Sequence, residues 1–354
     1  MLADDGVCRS EIDEWITDIV PKRIDDEYLA KQFSEATYQH DPEAIQGGLA
    51  DPVWDLLDRG GKRWRALIFV TLVDGLGDSP GRYRNYACIP ELLHNGTLVV
   101  DDIEDGATLR RGERTLHRRY GQDVALNVGN TLYFVALTTL SRNPGNLRTD
   151  TQLRVYDMVM EELASAHLGQ AVDISWHNDR EIGMAEEEYL EMCARKTGSL
   201  GRLSARLAAI VTDQPEPVER SLAAWAQNLS IAFQISDDVL DIENTMGDLE
   251  AFGKEYGNDI VEGKKTLMTI HAARNASSAD VARLEAILDD DETRRDEIVE
   301  VLDILQTTGS VKYAIERAHE FKRSALDQLE RVDLDDEPAR KLAAFTRLAV
   351  ERDE

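Results

Sequence analysis

Apolar residues recur in this chain at the spacing of one helical face, as in Ile12, Trp15, Ile16 and Ile19 or Leu284, Ile287 and Leu288, and almost nowhere alternate as a half-buried strand requires. Glycine and proline interrupt the pattern at Gly60-Gly61, from Gly75 to Gly81 with Pro80, at Pro144-Gly145, from Pro215 to Pro217, and from Gly247 to Gly263. Stretches of that length between breakers predict an all-α fold, a single large bundle of about a dozen helices over residues 1–354, with no shift in composition to mark a linker. The last part, 278–354, reads as amphipathic outer helices that carry no recognisable chemistry. A chain of 354 residues with 42% hydrophobic side chains has the material for such a core.

Charge narrows the function. Sixty-eight acidic against 40 basic side chains give a net charge of −28, a field that repels nucleic acid and anionic membrane. Lysine is scarce beside arginine, and the combination resembles proteins adapted to high salt. Cys8, Cys88 and Cys193 lie far apart, so neither a disulfide framework nor a thiolate metal site is expected. The acidic first residues argue against a secretory signal, and no run reaches the roughly 18 unbroken apolar residues of a membrane span. A cytoplasmic protein is expected.

Two acidic clusters stand out. Asp101, Asp102 and Asp105 form one D-D-x-x-D, and Asp237, Asp238 and Asp241 form another. On a helix, positions i and i+4 lie one turn apart on the same face, so each trio offers several oxygens to one point. Hard oxygen ligands suit Mg2+, which takes a few carboxylates and completes its shell with water and substrate phosphates. Asp is abundant here, so either cluster alone is weak. Leu98-Val99-Val100 leads into the first, however, and Ile231-Ala232-Phe233 with Ile235 into the second, which is not the pattern of solvated surface. An EF-hand reading of Asp101 to Gly112 fails, because Ile103 and Gly112 occupy ligand positions.

Against the overall charge, cations gather near these clusters: Lys62, Arg63 and Arg65 after Gly60-Gly61, Arg110 and Arg111 after Asp105, then Lys196, Lys254, and Lys264-Lys265 after Gly263. A diphosphate bound by an acidic protein needs such local convergence of Lys, Arg and metal. Arg110 and Arg111 taken alone would read as ordinary helix-end charges.

In order, Gly60-Gly61-Lys62-Arg63-Trp64-Arg65, Glu91-Leu92-Leu93-His94, Asp101 to Asp105 with Arg110-Arg111-Gly112, Gly169-Gln170-Ala171-Val172-Asp173, Lys196-Thr197-Gly198, Phe233 to Asp241, and Gly253-Lys254 with Gly257, Asp259 and Gly263-Lys264 make a series that resembles the trans isoprenyl diphosphate synthases. The series covers about residues 55 to 270, and its order is more specific than any one motif. It departs from the family at Ala66 and Arg114, where proline is usual.

The resemblance implies an isoprenoid-synthase bundle with a central substrate cavity, and a homodimer. It implies that the two Asp clusters hold Mg2+, three ions per site, against an allylic diphosphate gripped by Arg110, Lys196, Thr197, Gln234, Lys254 and Lys264. Isopentenyl diphosphate would be bound without metal by Lys62, Arg65, His94 and Arg111. The reaction implied is condensation of the two, with geranylgeranyl diphosphate as product and a longer polyprenyl diphosphate as the alternative. A class I terpene cyclase and a non-catalytic regulatory homologue are the readings from other classes. The first has no use for Gly60 to Arg65, and the second would be expected to have lost one of these residues.

For product length, Thr97 and Gly96 occupy the positions four and five residues before Asp101 where synthases of short products carry an aromatic. Neither would block a tunnel beside the helix, so a phenylalanine at 96 would shorten the product. Alternatively, Gly96 permits tight helix packing.

Overall fold

The computed structural model describes residues 7–33, 38–177, 182–247, 258–289 and 294–351. They are helical almost throughout, in two compact units that are both discontinuous in sequence. The first comprises residues 1–156, 207–214 and 334–338, and the second 157–206, 215–333 and 339–354.

The first unit is built from α1 (Arg9–Ile19), α2 (Asp26–Phe33), α3 (Pro42–Ile45), α4 (Asp51–Asp58), α5 (Trp64–Gly75), α6 (Arg84–Glu104), α7 (Leu116–Tyr120) and α8 (Gln122–Ser141). Helix α5 buries Arg65 to Val73 on every side, as expected of a helix that is apolar all round, and therefore forms the centre of the unit. Helix α6 packs against α1, α5 and α8. The C-terminal end of α5 is closed by a distant segment: Asp335 N donates to Gly75 O at 2.9 Å, and a Cβ on Gly75 would meet Pro338 Cβ at 2.9 Å. Among the described residues α8 alone is long and apolar enough to cross a membrane, but it includes Asn127 and Asn130 and packs against α6.

Helices α9 (Thr149–His177), α11 (Gly198–Val211) and α18 (Asp336–Leu348) cross the unit boundary, and α10 (Glu186–Lys196), α12 (Glu216–Gly247), α13 (Asn258–Val261), α14 (Leu267–Asn275), α15 (Ser278–Leu288), α16 (Arg295–Thr307) and α17 (Ser310–Leu329) complete the chain. The helices outnumber the expected dozen because single turns such as α3 and α13 punctuate the loops. Among the C-terminal helices, α17 lies along α12, and its buried Ala314, Ala318 and Ala325 let the two axes approach. The core of this unit joins Tyr189, Ile235, Val239, Leu267 and Ile298 with Val301.

Candidate active site

The turn before α5 runs through left-handed backbone, with φ of +105° at Gly60, +122° at Gly61 and +51° at Arg63. Glycine is favoured at 61 for its backbone freedom, and a Cβ there would stand 2.8 Å from Arg63 Nη1 and 3.0 Å from Arg111 Nη2, so that the two guanidinium ends would have to shift. Arg63 holds the turn in shape. Its Nε donates to Asp13 of α1 at 2.7 Å and its Nη2 to Leu57 O at 2.9 Å. Lys62 is exposed.

Arg65 is buried in the first turn of α5, over the Trp64 ring, and among the described residues its Nε has no hydrogen-bond partner. Glu91 of α6 opposes it, accepting from the backbone N–H groups of Arg65 and Ala66 at 3.1 and 3.3 Å. One carboxylate thus caps the helix and balances the guanidinium, with charge-assisted hydrogen bonds worth about 1.5–3 kcal/mol each. Burial pulls Arg65 down to about 10, against the pull of Glu91, so it stays charged at neutral pH. His94, one turn beyond Glu91 minus one residue, is held neutral: burial and then Arg65, Arg111, Arg110 and Arg63 push its pKa well below the ordinary value. The unit therefore gathers Arg65, His94 and Arg111 beside an excess of positive charge that an anion would relieve.

Helix α6 stops just after the first cluster. Gly106 turns left-handed at φ +62°, Ala107 N donates to Asp102 O at 3.0 Å and Gly106 N to Ile103 O at 3.3 Å, a Schellman closure. The chain then forms the hairpin that periodicity did not reveal, β1 (Leu109–Arg110) paired with β2 (Glu113–Arg114). Both central residues, Arg111 at +56° and Gly112 at +78°, have positive φ, the geometry of a type I′ turn. Arg111 is an uncommon residue there. Its guanidinium donates to Gly60 O, which joins the hairpin to the turn before α5, and Arg59 donates to Arg110 O at 3.4 Å.

The three carboxylates of this cluster differ. Asp102 is 3% exposed and accepts from Arg110 Nε at 2.8 Å and Nη2 at 2.5 Å, whereas Asp101 is partly exposed and Asp105 exposed. Burial pushes Asp102 upward against the pull of Arg110, and Asp102 in turn holds Arg110 above its ordinary value although burial opposes this. Both nitrogens reach the same carboxylate oxygen, Oδ1, in a short charge-assisted contact that makes the two groups an ion pair.

The second cluster, on α12, repeats the arrangement. Asp238 is 2% exposed and carries three donors: Tyr189 Oη at 2.9 Å on one oxygen, Gln234 Nε2 and Lys264 Nζ at 2.9 Å each on the other. Thr197 Oγ1 donates to Gln234 Oε1 at 3.0 Å, and Lys264 also reaches Asp259 at 3.1 Å. Asp259 N donates to Asp241 at 3.3 Å, while Asp237 is exposed. Burial first, and then the charges of Asp238 and Asp241 against Lys264, raise Asp259 to about 8. Thr197, Gln234 and Lys264 are thus brought together around Asp238, and Lys254 lies outside the described residues. Sequence reasoning gave no role to Asp259 and missed Tyr189. A tyrosine seven residues before Lys196 shares its helix face, which is the only signal for it.

Lys196 is placed by α9. A Cβ on Gly169 would stand 2.3 Å from Lys196 N, so only glycine lets the two backbones meet, and one turn on, Asp173 accepts from Lys196 Nζ at 2.5 Å. Gly169→Ala must push α10 away from α9, an overpacking cost of about 1–3 kcal/mol. We expect a lower melting temperature, checked by thermal unfolding. An unchanged melting temperature would show that the close approach is not needed.

The residues fit a divalent cation that shares its ligands with a substrate. The donors are hard carboxylates at accessible i and i+4 positions. Among the described residues no three acidic, imidazole or thiol groups converge to hold an ion alone. Hard oxygens of this kind suit Mg2+, which takes its remaining ligands from phosphate oxygens and water.

Gly96 packs against α8: a Cβ would lie 3.0 Å from Gly129 O and 3.1 Å from Tyr133 Cε1. The position is a helix crossing, and a phenylalanine there would have to displace α8. Of the two readings of Gly96, tight packing has the geometric support. Thr97 is half-buried and donates to His94 O at 2.8 Å.

These features coincide with a known family. Residues 46–305 match the polyprenyl synthetase family model. The chain is 33% identical over 342 residues to a geranylgeranyl pyrophosphate synthase of Geoglobus acetivorans, covering 96% of this chain and 99% of that one. It is 31% identical to a geranylfarnesyl diphosphate synthase of Natronomonas pharaonis, covering 78% and 82%. The crystal structure of geranylgeranyl pyrophosphate synthetase from Pyrococcus horikoshii superposes with a TM-score of 0.82 at 31% identity, covering 97% and 96%. The chain belongs to the polyprenyl synthetase family. It is a prenyltransferase of isoprenoid biosynthesis.

Proposed function

We propose that the protein joins isopentenyl diphosphate to an allylic diphosphate and that its main product is geranylgeranyl diphosphate. The observation that carries this is the buried, still-charged Arg65 with an unpartnered Nε beside His94 and Arg111, an anion site built inside a protein of net charge −28. A terpene cyclase, with one diphosphate substrate, has no use for it. Geranylgeranyl synthases among the relatives support the product length, while the Natronomonas pharaonis relative at similar identity keeps a longer chain as the second reading.

In this reading Lys62, Arg65, His94 and Arg111 hold isopentenyl diphosphate and orient its double bond. His94, kept neutral among arginines, donates a hydrogen bond and serves no proton transfer. Arg110, Lys196, Thr197, Gln234 and Lys264, with Lys254, hold the allylic diphosphate. Asp101, Asp105, Asp237 and Asp241 are the magnesium ligands, while Asp102 and Asp238 keep Arg110 and Lys264 in place. Mg2+, three ions in this reading, neutralises charge on the leaving diphosphate. The diphosphate departs with the bonding electron pair, the double bond attacks the allylic cation, and the proton lost in closing the new double bond goes to the departed diphosphate. Residues 1–354 act as one domain, since the boundary between the units falls inside α9 and α11.

Exposed apolar residues at helical spacing on α8 (Leu126 and Phe134) and on α9 (Leu153, Met160 and Leu168) support a second copy of the chain as partner. Labelled isopentenyl diphosphate with an allylic primer, in high salt with and without Mg2+, tests the reading. Extractable labelled prenyl product only with Mg2+ is expected, and no incorporation under any condition would overturn it. Chromatography of the dephosphorylated product decides its length.

A further inference from the structure

We propose that Arg202 of α11 is a positioning residue for the allylic substrate, fixing the corner between α10 and α11 from which Lys196 and Thr197 reach the diphosphate. The inference rests on the roles given to Lys196 and Thr197 in the proposed function, and every residue it uses lies in the second unit. Arg202 stands one turn into α11, which begins at Gly198 directly after Thr197. Its Nε donates to Glu162 Oε2 of α9 at 3.0 Å, and its Nη2 to the same oxygen at 2.8 Å and to Ser199 Oγ at 3.0 Å. Its Nη1 donates to Ala194 O of α10 at 2.6 Å and to Gln227 Oε1 of α12 at 3.0 Å. A guanidinium has five N–H groups, and these contacts occupy all of them. Arg202 therefore acts through its neighbours and not on the substrate.

Each partner is the lower end of an element that continues into the site. Ala194 O belongs to the last turn of α10, whose final carbonyls the helix leaves without a donor, and it precedes Lys196 by two residues. Glu162 shares a face of α9 with Gly169, whose backbone meets Lys196 N, and with Asp173, which accepts from Lys196 Nζ. Gln227 lies on α12 seven residues before Gln234, hence on the same face, and Gln234 accepts from Thr197 Oγ1. One guanidinium thus ties together the three helices whose neighbouring turns set Lys196 and Thr197. The space for it depends on Gly198, where a Cβ would stand 3.2 Å from Arg202 Nη1 and 3.8 Å from Gln227 Cγ. A lysine carries the charge at a single point and could keep Glu162 but could not span to Ala194 O and Gln227 as well. Glu162 is 2% exposed and also accepts from Arg206 at 2.8 Å, so it would keep a cation in either variant of Arg202 tested below.

The test compares the full chain with Arg202→Lys, Arg202→Leu, Lys196→Ala and the double variant Arg202→Lys with Lys196→Ala, by steady-state kinetics with each substrate varied in turn and by thermal unfolding. Arg202→Lys is expected to raise the KM for the allylic primer by roughly tenfold, the scale of one weakened charge-assisted contact, and to leave that for isopentenyl diphosphate within about twofold. Arg202→Leu should do the same more strongly; if it folds poorly, Arg202→Lys carries the test. In the Lys196→Ala background the Arg202→Lys substitution should add little, as coupled residues do. A residue that served stability alone would lower the melting temperature and move both KM values together or neither. That outcome, or full additivity in the double variant, would overturn the proposal. If Lys196→Ala by itself leaves the allylic KM unchanged, the role given to Lys196 in the proposed function falls, and this inference with it.

Discussion

Asp101→Ala and Asp237→Ala are each expected to cut turnover by more than about two orders of magnitude, the usual effect of removing a key electrostatic stabiliser of a developing charge, while the fold survives. Both are the accessible first members of their clusters. In the proposed function, removing either would take an oxygen from the metal that serves the leaving diphosphate and would leave the buried network intact. The middle residues should behave differently. Asp102→Ala takes from Arg110 its hydrogen-bonded carboxylate, and Asp238→Ala takes an acceptor from Tyr189, Gln234 and Lys264 at once, leaving Lys264 with Asp259. Loss of one partner from such a buried pair costs about 3–5 kcal/mol, so these two should lose stability as well as activity. Single-turnover rates with thermal unfolding of all four variants make the distinction. Near-normal turnover in Asp101→Ala or Asp237→Ala would remove that residue from the metal site.

Arg65→Ala should raise the KM for isopentenyl diphosphate far more than that for the allylic substrate, and Lys196→Ala should do the reverse. Truncating one partner of a buried charge-assisted contact costs about 2–5 kcal/mol, which at 1.4 kcal/mol per tenfold is at least roughly thirtyfold in affinity. Arg65 shares its surroundings with His94, Arg111 and Glu91, whereas Lys196 is aimed by Asp173 and Gly169 and is followed by Thr197 of the Asp238 network. Steady-state kinetics with each substrate varied in turn gives the ratio. Equal rises for both substrates from either variant would show that the cations are not divided between two diphosphates.

Much of the molecule could be read from the chain alone because helices announce themselves locally. Apolar spacing located α1 and α15, and breakers marked the turn before α5 and the end of α12. The ordered motifs pointed to Arg65, His94 and both Asp clusters because each motif keeps its chemistry within a few residues. What stayed hidden depends on a partner element. The hairpin has strands of two residues, too short for any alternation to register, and the left-handed Arg111 follows from its turn type. The unequal burial of Asp101 and Asp102 follows from which face of α6 is covered. Gly96 reads as open space until α8 is seen to bring Gly129 and Tyr133 against it.

The closure of α5 by Asp335 and Pro338 bears on how the chain acquires its structure. Helix α5 is almost wholly buried, yet the residues that seal its C-terminal end lie about 260 positions further along the chain. A contact so distant in sequence forms late, and until it does a sticky helix end stays open to misassembly. A nascent chain halted before residue 334 should therefore need chaperone protection that a chain extending past Pro338 does not.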